Sequence, residues 1–268
     1  MSSPANRRFR RPRSFRLWIA YVCAAKILAI VLLALQHTAA AVILFFSPSP
    51  WLIWQFLVPT SRGFGPSICR FRTDRREVWL TIDDGPDPAT TPRVLDLLDR
   101  YHARATFFVI GEKVARHPEL IREIVQRGHT VGNHTHTHPQ GNFWNADDAR
   151  TRDEILRCAA ALEAAGAPPT RWFRPPVGLK SLALHRNLAA LDRELVLWSA
   201  RGYDTQVREP SRAVRRIQKR TTPGAIILLH ESGPRNSPRL DVIAQLLEYL
   251  RADGYTCVIP SEESLIRR

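Results

Sequence analysis

The stretch VWLTIDDGP at residues 78–86 contains the two patterns on which the fold prediction depends. Its first half is a short run of β-branched and aromatic residues, which is typical of a strand. Its second half, Asp-Asp-Gly-Pro, is strong turn chemistry. Two adjacent carboxylates after a strand point in different directions, so one can bind a metal ion while the other faces a substrate. The alternative for Asp83 and Asp84 is a structural turn or helix cap, the role assigned to Asp87.

Short apolar runs and helical patterns alternate from this stretch to the C-terminus. Seven strands are predicted, at residues 78–82, 105–110, 129–133, 171–174, 195–199, 225–229 and 255–259. Alternation of this kind predicts a parallel sheet with interleaved helices. Over roughly 180 residues a barrel is favoured over an open sheet. The predicted fold is therefore α/β, a distorted (β/α) barrel with about seven parallel strands.

The residues that follow each strand are the candidates for function, because active sites of (β/α) barrels lie at the carboxyl ends of the strands. Residues 134–138 read His-Thr-His-Thr-His. Alternating histidines suit a strand exit or the first turn of a helix. His134 and His138 are four apart, so in helical geometry they share a face and can hold one metal ion. His136 is then expected to point elsewhere. A lone histidine is usually structural, but three in five residues are not usual.

Three further strand ends carry polar residues. Two prolines fix the backbone after Arg174, although an arginine there can also be a structural partner of a carboxylate. Asp204 follows the fifth predicted strand, and His230 ends the sixth. Together with Asp83, Asp84 and the two histidines, these residues form the inventory of a mononuclear metal hydrolase.

The net charge of +14 is concentrated near the N-terminus. Residues 1–59 hold seven basic residues and no Asp or Glu, so half of the excess charge lies there. Six of these precede an apolar run from Leu17 to Val58. Basic residues beside such a run are membrane-topology signals. The run is longer than the 7–15-residue apolar core of a signal peptide, so a retained transmembrane segment is predicted.

Two topologies remain open for this segment. One span can cover about Ile27–Phe46, with Trp51 and Trp54 in an interfacial belt. Alternatively, two short spans form a hairpin that turns near residues 36–38. Arginines flank both ends of the run, so the positive-inside rule favours both ends on the cytoplasmic side. The chain is predicted to be an integral membrane protein, located in the inner membrane if the source is bacterial. The sequence does not decide on which side of the membrane the catalytic domain lies. A buried helical hairpin of a soluble protein is the remaining alternative.

Several function classes lack support in the sequence. No glycine-rich phosphate-binding motif follows a strand, which argues against dinucleotide and nucleoside triphosphate binding. No nucleic-acid-binding motif accompanies the basic charge. The four cysteines are scattered without a Cys-x-x-Cys pair, which argues against a cysteine-rich zinc module or a disulfide scaffold.

At these motifs the sequence resembles the polysaccharide deacetylase family, that is, the NodB homology domain or carbohydrate esterase family 4. The resemblance covers about residues 76–259. Its five motifs occur in the family's order, as T-I-D-D-G-P at 81–86, H-T-H-T-H at 134–138, R-P-P-V-G at 174–178, the looser segment 198–204, and L-L-H at 228–230. One such motif is moderately specific, whereas the ordered set is highly specific.

The resemblance implies a role for the residues around the metal. Asp84, His134 and His138 bind a divalent ion, most often zinc in the family, which polarises the amide carbonyl and lowers the pKa of its bound water. Asp83 is the general base for that water. Arg174 orients Asp83 and keeps it ionised.

The resemblance also implies an acid and a substrate pocket. His230 is the general acid that protonates the leaving amine, and Asp204 orients and tunes it. The backbone N–H of Val177 helps to stabilise the oxyanion. Trp198 and Leu228 line an apolar pocket for the acyl methyl group.

Some positions depart from the family pattern. Val177 stands where a tyrosine is usual, which keeps a backbone donor but loses an aromatic contact to the sugar. Ile82 replaces a phenylalanine, which is a packing change. The segment around Asp204 is altered as well, since Ser199 follows Trp198 and Thr205 follows Asp204 where the family often has a tryptophan. These changes bear on the substrate rather than on the hydrolytic residues.

The implied function is a membrane-anchored, metal-dependent deacetylase. It would hydrolyse the N-acetyl or N-acyl amide of an amino sugar in a polysaccharide, an oligosaccharide or a lipid-linked glycan. The expected partners are that carbohydrate and the lipid bilayer, not nucleic acid, and no protein partner is indicated. The alternatives are a non-catalytic, membrane-tethered glycan-binding barrel and a metal-dependent amidase for another amide.

The predicted organisation of the chain has five parts. They are a basic arm at 1–16, the transmembrane segment at 17–58, a linker at 59–76, the catalytic domain at 77–260 and a C-terminal tail at 261–268.

Overall fold

A computed structural model describes residues 9–233 and 237–267. The helices in this part of the chain are α1 (Arg13–Ala34), α2 (Thr38–Phe46), α3 (Ser49–Leu57), α4 (Thr91–Arg100), α5 (Gly111–Arg116), α6 (Pro118–Gln126), α7 (Asp148–Ala164), α8 (Leu182–Ala190), α9 (Pro210–Gln218) and α10 (Arg239–Ala252). The strands are β1 (Ile68–Phe71), β2 (Glu77–Gly85), β3 (Ala105–Val109), β4 (Thr130–Asn133), β5 (Trp172–Phe173), β6 (Glu194–Leu195), β7 (Ala200–Arg201), β8 (Ala225–His230), β9 (Thr256–Cys257) and β10 (Leu265–Arg267).

The sheet follows the predicted α/β pattern. Strands β8, β2, β3, β4, β5 and β6 are neighbours in that order and all run parallel. The segment 194–201 links the two ends of this row, because β6 pairs with β5 and β7 pairs with β8. The strand predicted at 195–199 is thus broken into two short strands, since no single neighbour lies along its whole length. The result is a curved α/β half-barrel that matches the predicted (β/α) architecture.

Strand β2 lies at the centre of this sheet and is buried on both faces. Val78, Leu80 and Ile82 pack in the large apolar cluster between the sheet and helices such as α4 and α10. Trp79 belongs to a second apolar cluster on the other face of the sheet. Because side chains alternate along a strand, Thr81 and Asp83 share the face of Trp79 and point to the inside of the curve. This alternation places the first candidate carboxylate in the interior.

Two strands lie where the sequence predicted none. Strand β1 falls in the predicted linker 59–76, and β10 falls in the predicted tail 261–268. They pair antiparallel with each other, and β1 also pairs with β8 through Arg70 and Ala225. The sequence predicted no strand in either segment because both strands are short and find their partners far along the chain.

The apolar N-terminal segment forms a helical hairpin. Helix α1 ends at Ala34, residues 35–37 turn the chain, and α2 and α3 continue from Thr38 to Leu57. The single continuous span predicted at Ile27–Phe46 is therefore not formed, whereas the predicted hairpin with its turn near residues 36–38 is. Both halves are long and apolar enough to cross a membrane, which by itself is weak support for a span.

Candidate active site

Three predicted metal ligands converge at the carboxyl ends of β2 and β4. Asp84 Oδ1 lies 3.2 Å from His138 Nε2 and 3.5 Å from His134 Nε2. One ligand atom from each residue lies within 4.8 Å of the other two. Burial opposes ionisation of Asp84, but the neighbouring imidazoles, His134 above all, hold its pKa below the ordinary value. Burial and His134 lower the pKa of His138 to about 4, so this imidazole is neutral at pH 7.

The residue types and spacing fit a zinc-sized ion. Tetrahedral ligands at about 2.0–2.1 Å from zinc are about 3.3 Å from each other, close to the two Asp84 distances. His134 Nδ1 donates to the carbonyl oxygen of Arg174 at 2.7 Å. A carbonyl only accepts, so the proton is on Nδ1 and the lone pair of Nε2 faces Asp84. These three residues form a site that can hold one divalent metal ion.

The histidine segment is an irregular loop rather than the helical turn invoked in the sequence argument. Thr135 and His138 both adopt left-handed backbone conformations, with φ of 68° and 55°. The loop brings the rings of His134 and His138 to a centroid separation of 4.8 Å. His136 points away, with its ring against Gly111, as predicted. The segment follows β4 as a strand exit, and it does not form a helical turn because Glu154 fixes the loop by accepting hydrogen bonds from the backbone of His136 and Thr137.

Asp83 is the carboxylate beside the three ligands, and Arg174 holds it. Arg174 Nη1 donates to Asp83 Oδ1 at 2.6 Å and to Thr81 Oγ1 at 2.9 Å. Both Asp83 and Arg174 are buried, and the guanidinium also lies over the ring of Phe108 at 4.1 Å. The other oxygen, Asp83 Oδ2, lies 3.7 Å from His134 Nε2. One side of the carboxylate is thus fixed while the other faces the possible metal site.

His230 faces the same site from the next strand. In the parallel pairing of β2 with β8, Asp83 and His230 are direct partners. Asp204 Oδ1 lies 3.0 Å from His230 Nδ1, and the backbone N–H of His230 donates to Asp204 Oδ2 at 2.8 Å. Burial disfavours the imidazolium, but the charge of Asp204, with smaller effects of Asp83 and Asp84, raises the pKa of His230 to about 9. His230 is therefore a protonated acid at neutral pH.

The predicted substrate residues border an open cavity of about 490 Å³ above these groups. Trp198 and Leu228 are almost fully buried in its wall. Val177 is exposed at its rim and adopts φ 60° and ψ 0°, which is strained for a β-branched residue. Nine of the ten predicted site residues line this cavity, and Arg174 lies behind Asp83.

Residues that the sequence argument missed support the Asp-Asp-Gly turn. Asp84 has φ 74°, and its carbonyl oxygen accepts hydrogen bonds from Lys113 Nζ at 2.7 Å and Ser232 Oγ at 2.8 Å. Glu231 is buried against Gly85, where an added Cβ would lie 1.6 Å from Glu231 Oε1. Burial raises the pKa of Glu231 to about 8, so its carboxyl group is neutral at pH 7. The sequence signal for Glu231 and Ser232 was that they directly follow His230, whereas no sequence signal marked Lys113.

The fold and the site together define a hydrolase built on an α/β half-barrel, with paired carboxylates and histidines at the carboxyl ends of its strands. The family model "Polysaccharide deacetylase" matches residues 71–196. A peptidoglycan-N-acetylglucosamine deacetylase of Bacillus cereus is 36% identical over 187 residues, which cover 69% of this chain and 86% of that protein. A chitooligosaccharide deacetylase of Bradyrhizobium is 40% identical over 166 residues, covering 61% of this chain and 74% of that protein.

A solved structure agrees with these sequence matches. The crystal structure of the Bc1960 peptidoglycan N-acetylglucosamine deacetylase in a benzamide complex superposes with a TM-score of 0.66 and 26% identity. The match covers 71% of this chain and 88% of that one. The chain belongs to the polysaccharide deacetylase family, and it is a hydrolase that acts on carbon–nitrogen bonds other than peptide bonds.

Proposed function

We propose that this protein is a membrane-anchored, metal-dependent deacetylase that removes the acetyl group from an N-acetylated amino sugar. The observation that carries the proposal is the convergence of Asp84, His134 and His138, with Asp83 beside them and His230 facing them. The relatives whose names specify peptidoglycan and chitooligosaccharides support a glycan substrate.

Each residue of the site has a role in this proposal. Asp84, His134 and His138 hold one divalent ion, with zinc expected from the ligand set and spacing. When bound, the ion supplies Lewis acidity toward the amide carbonyl and the attacking water. Asp83 takes the proton from that water through its Oδ2, because its Oδ1 is held by Arg174.

His230 supplies the second proton. Its raised pKa keeps the imidazole charged until it protonates the nitrogen of the leaving amine. Asp204 holds Nδ1, so the proton is delivered from Nε2. The N–H of Val177 donates to the oxyanion, and Trp198 and Leu228 surround the acyl methyl group.

The exposed surface of the hairpin supports a membrane anchor. Of the nineteen large apolar side chains that are exposed in the described residues, fifteen lie between Leu17 and Leu57. An exposed apolar surface of this kind on two connected helices is unfavourable in water and suited to lipid. Both ends of the hairpin carry arginines. Both ends also lie at the catalytic domain, because Phe9 stacks on His185 and Lys180 donates to the carbonyl oxygen of Val58. The proposed topology therefore places the catalytic domain and the basic arm on the cytoplasmic side.

Contacts at the base of the hairpin support a fixed position of the active-site face. Lys180, which is almost fully buried, donates to the carbonyl oxygens of Val58 at 2.8 Å and Ser61 at 2.7 Å. Phe56 packs edge-on against Trp144 at 5.6 Å. Trp144 and Lys180 belong to the loops after β4 and β5, the same loops that carry His138 and Val177. The proposed active site therefore opens close to the bilayer surface.

The direct test is acetate release by the full chain in detergent with zinc added. Chitooligosaccharides, peptidoglycan fragments and lipid-linked N-acetylglucosamine are the substrates, and N-acetylated peptides represent another amide. We expect acetate from at least one glycan, and a fall in kcat of about 100-fold or more in Asp83→Asn with the bound metal retained. Turnover of peptides alone, or wild-type turnover in Asp83→Asn, would contradict the proposal.

A further inference from the structure

The catalytic cavity contains two arginines that the proposed mechanism does not use. Arg201 and Arg239 line it together with Asp83, Asp84 and Asp204. Each of these carboxylates is already engaged, by Arg174, by the two histidines and by His230 respectively. Within residues 9–233 and 237–267, neither arginine forms a salt bridge with an acidic group. The cavity thus holds two positive charges without an internal counter-ion.

Arg201 is held in place by aromatic stacking. Its guanidinium lies 4.1 Å from the centroid of the Tyr203 ring and 5.4 Å from that of Trp198, and it donates to Tyr203 Oη at 2.8 Å. Stacking occupies the faces of a guanidinium and leaves its edge available for hydrogen bonds. The remaining N–H groups of that edge match the paired oxygens of a carboxylate or phosphate.

Arg239 has buried donors without acceptors. Its Nε and Nη1 are inaccessible to solvent and form no hydrogen bond in the part of the chain that the structure describes. The guanidinium lies against Gly233, where an added Cβ would be 1.9 Å from Nη1. Arg239 also begins α10, where the helix dipole disfavours a cation, so helix stability does not account for it. Buried unsatisfied donors of a charged group indicate a missing acceptor.

We infer that Arg201 and Arg239 bind an anionic group of the substrate while its N-acetyl group lies at Asp83 and His230. This inference deepens the proposed function, on which it rests. The ligand is an amino sugar glycan that bears a carboxylate or a phosphate close to the acetylated residue. A neutral chitin oligomer fits the same catalytic groups but leaves both guanidiniums without a partner.

The test compares kcat/KM for anionic and neutral glycans in the full chain. The probes are chitotetraose, a peptidoglycan tetrasaccharide with its lactyl carboxylates, and polyprenyl-diphosphate N-acetylglucosamine in micelles. For the preferred anionic substrate, we expect the ratio of its kcat/KM to that of chitotetraose to fall at least tenfold in Arg201→Gln and Arg239→Gln. Arg100→Gln, on the exposed face of α4 outside the cavity, is the matched control and keeps the wild-type ratio.

The outcomes separate the possible sources of the anion. A fall confined to the tetrasaccharide identifies a carboxylate, and a fall confined to the diphosphate identifies a phosphate. An unchanged ratio of the two kcat/KM values, which includes equal losses on neutral and anionic substrates, would overturn the inference. If Arg239→Gln does not fold, Arg239→Lys replaces it in the same measurement, because a lysine keeps the charge but lacks the paired N–H groups of the guanidinium. Absence of acetate release from every glycan in the wild type would instead contradict the proposed function.

Discussion

Arg174 contacts both the proposed general base and one of the proposed metal ligands. Its guanidinium holds Asp83, and its carbonyl oxygen fixes the ring of His134. Two more carbonyl oxygens, of Val196 and Leu197, accept from the same side chain. Because Arg174 is fully buried, its loss leaves Asp83 as an unpaired buried charge, which is among the most destabilising changes a core allows. This arginine therefore contributes both to stability and to the geometry of the site.

At the residue scale, Asp204 sets the protonation of His230. As a general acid His230 acts in its charged form, so activity is present below its pKa and lost as pH rises through it. Asp204→Asn keeps the shape but removes the charge that raises this pKa. We expect the alkaline limb of the pH profile of kcat/KM to move to lower pH. The control Asp241→Asn, at an exposed position of α10, is expected to leave the alkaline limb unchanged. An unchanged alkaline limb in Asp204→Asn would show that His230 is not the general acid.

The sequence predicted most of the residues that line the candidate site because they lie at strand ends. Asp83, Asp84, His134 and His230 follow or end strands that apolar runs identify, and parallel strands bring such ends together. The sequence did not predict the local backbone geometry of these residues. The loop at residues 134–138 depends on Glu154, a glutamate within a helix that looks like any surface residue until α7 packs against the loop.

At the element scale, Glu154 ties α7 to the histidine loop. Its buried carboxylate accepts from the N–H groups of His136 and Thr137, both at 2.8 Å, and from Thr137 Oγ1 at 2.5 Å. We expect Glu154→Ala to lower the free energy of unfolding by about 2–3 kcal/mol and to weaken zinc binding at least tenfold. Glu163→Ala, exposed on the same helix, is the control. Urea unfolding and competitive zinc titration measure both quantities, and unaltered zinc affinity would contradict this role.

The start of β8 depends on Gly224. It has φ 77°, and an added Cβ would lie 2.1 Å from the carbonyl oxygen of Phe71 in the neighbouring strand β1. We expect Gly224→Ala to destabilise the protein by more than about 2 kcal/mol. Gly166 has φ 81° but open space around it, so Gly166→Ala measures backbone strain alone, about 1 kcal/mol.

Gly141→Ala completes this series. Gly141 has neither a left-handed backbone nor a neighbour within 4 Å, so its change is expected to stay within about 0.5 kcal/mol. Equal effects at the three glycines, measured by urea unfolding, would mean that the close approach to β1 does not matter.

The elements that the sequence did not predict are those with non-local partners. Strand β1 pairs with β10 almost two hundred residues later, and each is only three or four residues long. Neither carries a strong periodic pattern, so no local signal separates them from a linker or a tail. Six of the seven predicted parallel strands each coincide with one observed strand, because each has an apolar run flanked by a helix or a turn, whereas β6 and β7 stand in place of the strand predicted at 195–199.

At the scale of the whole molecule, the hairpin predicts a definite topology. Reporters fused at the N-terminus, inserted between Gln36 and His37, and fused at the C-terminus distinguish the models. We expect both termini on the cytoplasmic side and the turn on the opposite side, since arginines flank both ends of the hairpin. Termini on opposite sides would indicate a single span and an exported catalytic domain. A full chain that stays in solution without detergent would exclude the proposed membrane anchor.

The proposed function depends above all on one shared ion, held by an aspartate of one strand end and two imidazoles of another. The most direct measurement is metal content by mass spectrometry of the purified full chain and its Asp84→Ala and Asp83→Asn variants, together with acetate release. We predict one divalent ion per chain in the wild type and in Asp83→Asn, no ion in Asp84→Ala, and acetate release that is about 100-fold or more lower in both variants than in the wild type. A metal-free wild type that still releases acetate, or an Asp84→Ala variant that binds the ion and turns over, would contradict it.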